Sequence, residues 1–206
     1  MRRPHTVLLL LALLFAQPAF AKNKYMSVAR DQDPAPQSEK AMVVFLRAGF
    51  MGGKATASVY DGTDDRVDFL GILYSGDRLA VQVEPGFHRF MAYAENADFL
   101  DATLEAGKRY YILVRARPGM AKARFSLIPF HPGVDAEYSL QGKDFRSWYG
   151  AATFVERTAA ADAWYDEHRE DVAKKKAIYL VKWNAMSPED RAVLTLRPED
   201  GVTALP

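Results

Sequence analysis

Between residues 41 and 129 the apolar positions of this chain recur at every second residue in short runs, each closed by Gly, Pro, Asp or Asn. A period of two marks a half-buried β-strand. The pattern predicts eight strands, at 41–47, 55–60, 67–73, 78–83, 87–94, 100–104, 109–116 and 124–129. Consecutive strands lie too close for the crossover of a dozen residues or more that parallel pairing requires. The expected fold is therefore mainly β, an antiparallel β-sandwich. Two stretches carry the signal most plainly, Val83-Glu84-Pro85-Gly86-Phe87-His88 and Leu104-Glu105-Ala106-Gly107-Lys108-Arg109-Tyr110-Tyr111. In each, alternation stops at a Gly-containing turn and resumes at once, as a β-hairpin does. Pro85, Gly86, His88 and Gly107 are the expected turn residues.

Alternation also assigns faces. Leu79, Val81 and Val83 share one parity and should face the core, while Arg78, Ala80 and Gln82 should face solvent. Tyr110, Ile112 and Val114 should point inward, with Arg109, Arg115 and Arg117 outside. Met42-Val43-Val44-Phe45-Leu46 does not alternate, which predicts a strand covered on both faces. From 159 to 186 the period changes to that of a helix: Trp164, His168, Val172, Tyr179, Trp183 and Met186 form one stripe, mostly at three- and four-residue steps. This long helix is the expected cover. Glu170 with Lys174 and Asp171 with Lys175 have the spacing of i,i+4 ion pairs. Ser187-Pro188-Glu189-Asp190 then reads as N-cap, first helical proline and acidic first turn of a short final helix.

Upstream of the strands, Arg2 and Arg3 precede an apolar run at 7–16, and Ala19-Phe20-Ala21 follows. That order is the pattern of a cleaved signal peptide. The run is short of the roughly 20 residues that span a bilayer as a helix. The expected organisation is a signal peptide at 1–21, a flexible linker at 22–40, a β-sandwich domain at 41–131 and a helical C-terminal extension at 132–206. The expected compartment is periplasmic or secreted, and there is no cysteine to carry a lipid or a disulfide. Of the 27 Lys and Arg residues, Arg2 and Arg3 leave with the leader, so 25 face 26 acidic ones. A near-neutral chain has no long-range field to gather nucleic acid, which is not an expected partner.

The segment 41–130 resembles bacterial envelope proteins that carry the domain of unknown function 2846. The likeness rests on Val43-Val44-Phe45-Leu46-Arg47, on Gly71-Ile72-Leu73, on the Pro85-Gly86-Phe87-His88 turn, and on Ala106-Gly107-Lys108 with Tyr110-Tyr111. The resemblance implies an exported β-sandwich of uncharacterised role, often in lipoproteins. This chain departs from it in lacking the lipid-bearing cysteine.

Candidate chemistry is sparse. The glycine-rich stretch 49–56 looks like a phosphate-binding loop, but Ala48 just before it and Ala55 within it stand where that loop needs Gly and Ser or Thr. Asp61-Gly62-Thr63-Asp64-Asp65 gathers carboxylates, but Arg66 and Ile72 stand where a calcium loop needs Gly and Glu, so an Asp-Gly turn is expected. His88, His131 and His168 lack zinc-ligand spacing, and no metal or cofactor is expected. His88, on the core parity, is expected to hydrogen-bond turn backbone. Trp148, Tyr149, Trp164 and Tyr165 are the expected binding residues, because exposed rings stack on sugar faces or anchor a partner. The competing expectation is that they pack the helix on the sheet, since Trp164 lies on the apolar stripe. The expected function is that of an exported, non-catalytic envelope module binding an envelope protein or glycan. The alternative is a periplasmic, glycan-directed hydrolase whose carboxylates, Glu95, Asp98 or Asp101, come together only in the fold.

Overall fold

The computed structural model describes residues 23–49, 53, 55–120, 123–134 and 136–205. The expected signal peptide, and residues 50–52 and 54 of the glycine-rich stretch, lie outside them. Strands β1 (Met26–Val28), β2 (Ala41–Arg47), β3 (Ala57–Asp61), β4 (Asp68–Leu73), β5 (Asp77–Val83), β6 (Gly86–Tyr93), β7 (Ala97–Leu104), β8 (Arg109–Arg117) and β9 (Arg124–Pro129) are followed by helix α1 (Lys143–Ala151). Then come β10 (Thr153–Arg157), α2 (Ala159–Asn184), α3 (Pro188–Ala192), β11 (Thr195–Leu196) and a 3-10 turn at Pro198–Asp200. All eight expected strands are present. They form a six-stranded sheet in the order β1-β10-β5-β2-β8-β9 and a five-stranded sheet in the order β11-β7-β6-β3-β4. Phe45 of one sheet meets Phe90 of the other edge-to-face at 5.3 Å in the core between them.

The sheets are mixed, which corrects the antiparallel expectation. β2 runs parallel to β8, β10 to β5, and β11 to β7. Short loops forbid parallel pairing only between consecutive strands. Here each parallel partner lies far away in sequence, with other strands or helices as the crossover. The two glycine turns are corrected with it. β5 and β6 lie in different sheets, as do β7 and β8, so 83–86 and 104–109 are arches between the layers and not hairpins. Gly86 (φ 120°) and Gly107 (φ 71°) supply the left-handed bends, which cost a glycine nothing in sterics. Gly107 N–H donates to the Lys40 carbonyl at 2.8 Å.

The face assignments hold for Leu79, Val83, Tyr110, Ile112 and Val114, all buried between the sheets. The opposite faces are not left to solvent. Met42, Val44, Leu46, Tyr111 and Leu113 lie under Phe130, Leu140, Phe145 and Phe154, so α1 and its flanks cover β2, while α2 covers the other sheet. Arg78 is buried with its guanidinium 4.1 Å from the Tyr149 ring and 4.2 Å from that of Phe154. Gln82 donates to the Ala35 carbonyl and accepts from Gln37 N–H. Arg115 and Arg117 are exposed, whereas the Arg109 side chain is largely covered.

The linker expectation is corrected from Asn23 on. Met26 is fully buried in β1, which pairs with β10, and the Gln32 amide brackets the backbone of Phe154. A boundary at 131 also fails to divide the fold, because β10 and β11 complete the two sheets. The Ser187 hydroxyl caps α3 by accepting Asp190 N–H at 3.0 Å, as expected.

The chain closes against β8. Arg109 and Val202 exchange backbone hydrogen bonds of 2.8 and 3.0 Å, and Lys108 Nζ donates to the Pro198 carbonyl at 3.0 Å. A Cβ on Gly201 would stand 2.5 Å from Tyr110 Cζ, and Tyr110 is fully buried. Gly201→Ala should therefore cost about 1–3 kcal/mol by overpacking. Thermal denaturation should show a melting point lower by several degrees.

Candidate functional site

The outer face of the five-stranded sheet is only partly covered by α2, and an open groove of about 820 Å³ remains between them. Alternation puts Ser58 of β3 and Ile72 of β4 on its floor, with Tyr74 and Tyr93 just beyond their strands' buried centres. Trp164 and His168, one helical turn apart on α2, form one wall, and Tyr25 ahead of β1 forms another. The Trp164 and His168 rings stack at 4.5 Å, and His168 Nδ1 lies 2.7 Å from the Trp164 carbonyl, which locks the pair. Tyr25 tilts against Trp164 at 6.3 Å. Burial, together with Tyr25 and Asp77, pushes the Tyr74 hydroxyl above its ordinary pKa, and burial with Asp171 does the same to Tyr93. Both phenols stay neutral donors at physiological pH.

Helix α2 is seated beside this groove by two lysines. Lys175 Nζ donates to the Ala94 and Glu95 carbonyls at 3.0 Å each and sits over the Tyr93 ring. Lys176, nearly buried, donates to the carbonyls of Asp64 and Arg66 at 2.6 and 2.7 Å. Burial holds its pKa below the ordinary lysine value. Lys175 thus caps a strand turn, a role the i,i+4 spacing with Asp171 does not reveal.

The expected aromatic residues fall on opposite sides of the sandwich. Trp148 and Tyr149 belong to α1 over the six-stranded sheet, where Tyr149 stacks on Phe145 at 5.4 Å and meets Tyr111 and Phe154 edge-on. Trp164 and Tyr165 belong to α2 over the five-stranded sheet. Tyr165 stacks on Phe69 at 5.1 Å and donates its hydroxyl to the Val67 carbonyl. Tyr149 and Tyr165 pack the helices on, while Trp164 lines the groove and Trp148 a separate cavity.

His88 and Asp61 form a buried pair that the sequence does not announce. Both share the inter-sheet face, on adjacent strands β6 and β3. His88 Nδ1 stands 2.6 Å from Asp61 Oδ2, and Nε2 stands 2.8 Å from the Glu84 carbonyl in the arch. Both neighbours only accept, so both nitrogens donate and the ring is an imidazolium. Burial works against its charge, but the bonds to Asp61 and Glu84 outweigh it and raise the His88 pKa above 6.5. For Asp61, burial is likewise outweighed, by hydrogen bonds from His88 and Thr63, and its pKa lies below 3.8. A ring that donates from both nitrogens has no lone pair for general-base work. His88 bolts the arch at Pro85 and Gly86 to β3.

Glu95, Asp98 and Asp101 are not brought together. Asp98 and Asp101 are of opposite parity on β7 and point to opposite faces. Asp98 accepts Leu127 N–H at 3.0 Å, and the Asn96 amide brackets Phe125 at 2.9 and 3.0 Å, so side chains at the start of β7 and just ahead of it cap the edge strand β9. Burial raises the Asp98 pKa. Asp101 takes a bidentate pair from Arg89 at 2.6 and 2.9 Å on the α2 side. Glu95 accepts from Arg124 Nε at 2.8 Å and from Met120 N–H at 3.0 Å. In the Asp61–Asp65 turn, Asp61 points inward to His88 while Asp64 and Asp65 are exposed. His131 pairs with Asp200 at 2.8 Å. Among the described residues no group of three His, Cys, Asp or Glu side chains is placed to hold a metal ion.

Tyr25, Tyr74, Tyr93 and His168 are site residues that sequence reasoning passes over. Tyr25 sits in a polar segment, Tyr74 and Tyr93 at strand ends, and His168 inside a helical stripe. None of those settings distinguishes a groove wall from packing.

Fold and groove together define a mixed-sheet β-sandwich with a helix laid over one face and an aromatic groove beside it. Comparison of the chain with protein-family models, with curated proteins and with solved structures gives no match. No helix among the described residues is long and apolar enough to cross a membrane.

Proposed function

We propose that this chain is an exported, non-catalytic cell-envelope module that binds a glycan of the envelope in the groove between α2 and the five-stranded sheet. The observation that carries the reading is the lining of that groove. Trp164, Tyr25, Tyr74 and Tyr93 present ring surfaces, interspersed with the polar edges of Thr56, Ser58 and His168. A pyranose has the same mixture, an apolar face of C–H groups and a rim of hydroxyls, and aromatic walls with a few polar groups suit it. The signal-peptide pattern and the resemblance to exported sandwiches support the envelope as the place of encounter.

Co-sedimentation with insoluble peptidoglycan tests this. The unaltered chain should pellet with the polymer, and Trp164→Ala or Tyr74→Ala should each weaken binding by at least tenfold. Tyr74, at a strand end and half-exposed, keeps the test independent of any folding defect from losing Trp164. Undiminished binding by both variants, or none by the unaltered chain, would overturn the glycan assignment. Release of soluble fragments from the polymer would favour the hydrolase alternative instead.

A further inference from the structure

The groove between α2 and the five-stranded sheet has two charged side chains in its lining, Glu95 and Lys175, one of each sign. Both are engaged within the wall. Glu95 takes Arg124 Nε at 2.8 Å, while Lys175 Nζ donates to the Ala94 and Glu95 carbonyls and rests 4.8 Å from the centre of the Tyr93 ring. Asp171, exposed on α2, lies near enough to Tyr93 to raise its pKa. An anionic sugar would therefore meet Asp171 and Glu95 as well as Lys175, and a cationic one would lie against Lys175. The lining suits an uncharged stretch of glycan.

Two further features narrow the class. Past the aromatic rings the lining continues through Ala55, Ile72, Ala94 and Ala123. Against that apolar surface a bare sugar would bury hydroxyl groups without partners, which is costly. A short apolar substituent on the sugar removes that cost. The second feature is His168. Its Nδ1 stands 2.7 Å from the Trp164 carbonyl, one helical turn back. A carbonyl only accepts, so Nδ1 carries the proton, and the neutral ring keeps its lone pair on Nε2, at the far edge from that carbonyl. The ring is held by stacking on Trp164 at 4.5 Å and lines the groove. Nε2 has no hydrogen-bond partner among the described residues. A fixed acceptor in an otherwise apolar stretch of wall matches a group that donates one N–H and carries a methyl.

We infer that the glycan taken by this groove is an uncharged chain of N-acetylated amino sugars, with His168 Nε2 accepting the acetamido N–H and the acetyl methyl group lying against the alanine-lined part of the wall. The inference rests on the glycan reading of the groove and names the substrate class within it. His168 is then the residue that sets specificity, and Trp164 the ring on which the sugar stacks.

Titration calorimetry of the full chain with β-1,4-linked tetramers of N-acetylglucosamine, glucose and glucosamine tests it. The N-acetylglucosamine tetramer should bind at least tenfold more tightly than the glucose tetramer, which has hydroxyl in place of acetamido groups, and than the cationic glucosamine tetramer. Raising salt from about 0.05 M to about 0.5 M should leave its affinity unchanged. His168→Phe keeps a ring on Trp164 but removes the acceptor, so it should lower affinity for the N-acetylated tetramer to that for the glucose tetramer and leave the latter unaltered. His168→Gln, whose amide oxygen accepts, should recover part of the preference. The comparison of sugars on the unaltered chain stands whether or not the variants fold. Equal affinity for the three sugars, or an equal loss for both neutral ones in a folded His168→Phe, would overturn the acetamido assignment and leave the glycan reading standing. No binding of any of the three by the unaltered chain, together with none to peptidoglycan, would overturn both.

Discussion

A chain ended after His131 should fail to fold cooperatively. The cut removes β10 from between β1 and β5, leaving Met26–Val28 with no strand to pair. It removes β11 from the edge of the other sheet. It also strips α1 from Met42, Val44 and Leu46, and takes Val172 and Trp183 of α2 from the second sheet. Each large apolar side chain buried contributes about 1.5–3 kcal/mol, whereas a domain's whole stability is about 5–15 kcal/mol. The loss of Phe145, Phe154, Val172 and Trp183 alone is on that scale. The chain from residue 23 to the C terminus should melt in one transition, and the piece ending at 131 should show none, bind hydrophobic dyes and aggregate. A sharp transition in the shorter piece would restore 41–131 as a self-sufficient domain.

Asp61→Ala should be the most damaging single substitution among those considered. It leaves the His88 imidazolium buried beside a carbonyl with no counter-ion, a defect that costs about 3–5 kcal/mol. It also removes the acceptor for both the backbone and hydroxyl donors of Thr63, at 3.0 and 2.5 Å, and with them the turn that Lys176 clamps. Linkage gives the pair a pH signature. The folded pKa of His88 is raised, so its contribution is fully present below its unfolded value of about 6.5 and is lost as pH rises through the higher folded value. The folded pKa of Asp61 is lowered, so its contribution is present above about 3.8 and is lost as pH falls through the lower folded value. Urea denaturation across pH should therefore show the pair's contribution greatest between those limits and declining above neutrality. His88→Gln should flatten the alkaline decline. If Asp61→Ala melts like the unaltered chain, or if stability rises through neutrality, the ion pair is refuted.

Much of the architecture is legible in the residues because a period of two needs only local information. Alternation along 77–83 and 109–117 assigned Leu79, Tyr110 and Ile112 to the core, and the unbroken apolar run at 42–46 announced a doubly covered strand. What covers it was not legible. Lys143–Ala151 has only Phe145 fully buried, so its stripe is too thin to stand out, whereas the long helix at 159–184 draws attention and packs on the other sheet. The short strands β1, β10 and β11 have two to five residues each, too few for a period to declare itself.

The candidate sites were less legible than the fold. Trp164 and Trp148 stood out by composition, but nothing local separates a ring that lines a cavity from one that packs, as Tyr149 and Tyr165 do. Asp61 and His88 are 27 residues apart, and only the β3–β6 register brings them together.

By itself the sequence determined that this is a sandwich of short strands with a long helix and a capped short helix near its C terminus, and it assigned the inner faces of β5 and β8. Those properties follow from side-chain period, turn chemistry and capping, all of which act over a few residues. The tertiary structure alone decided that the glycine turns are arches, that three strand pairs run parallel, and that the N- and C-terminal segments complete the sheets. It also decided where the aromatic groove and the buried Asp61–His88 pair lie. Each of these depends on which distant strands become neighbours, and that choice is made by burying both faces of two sheets at once.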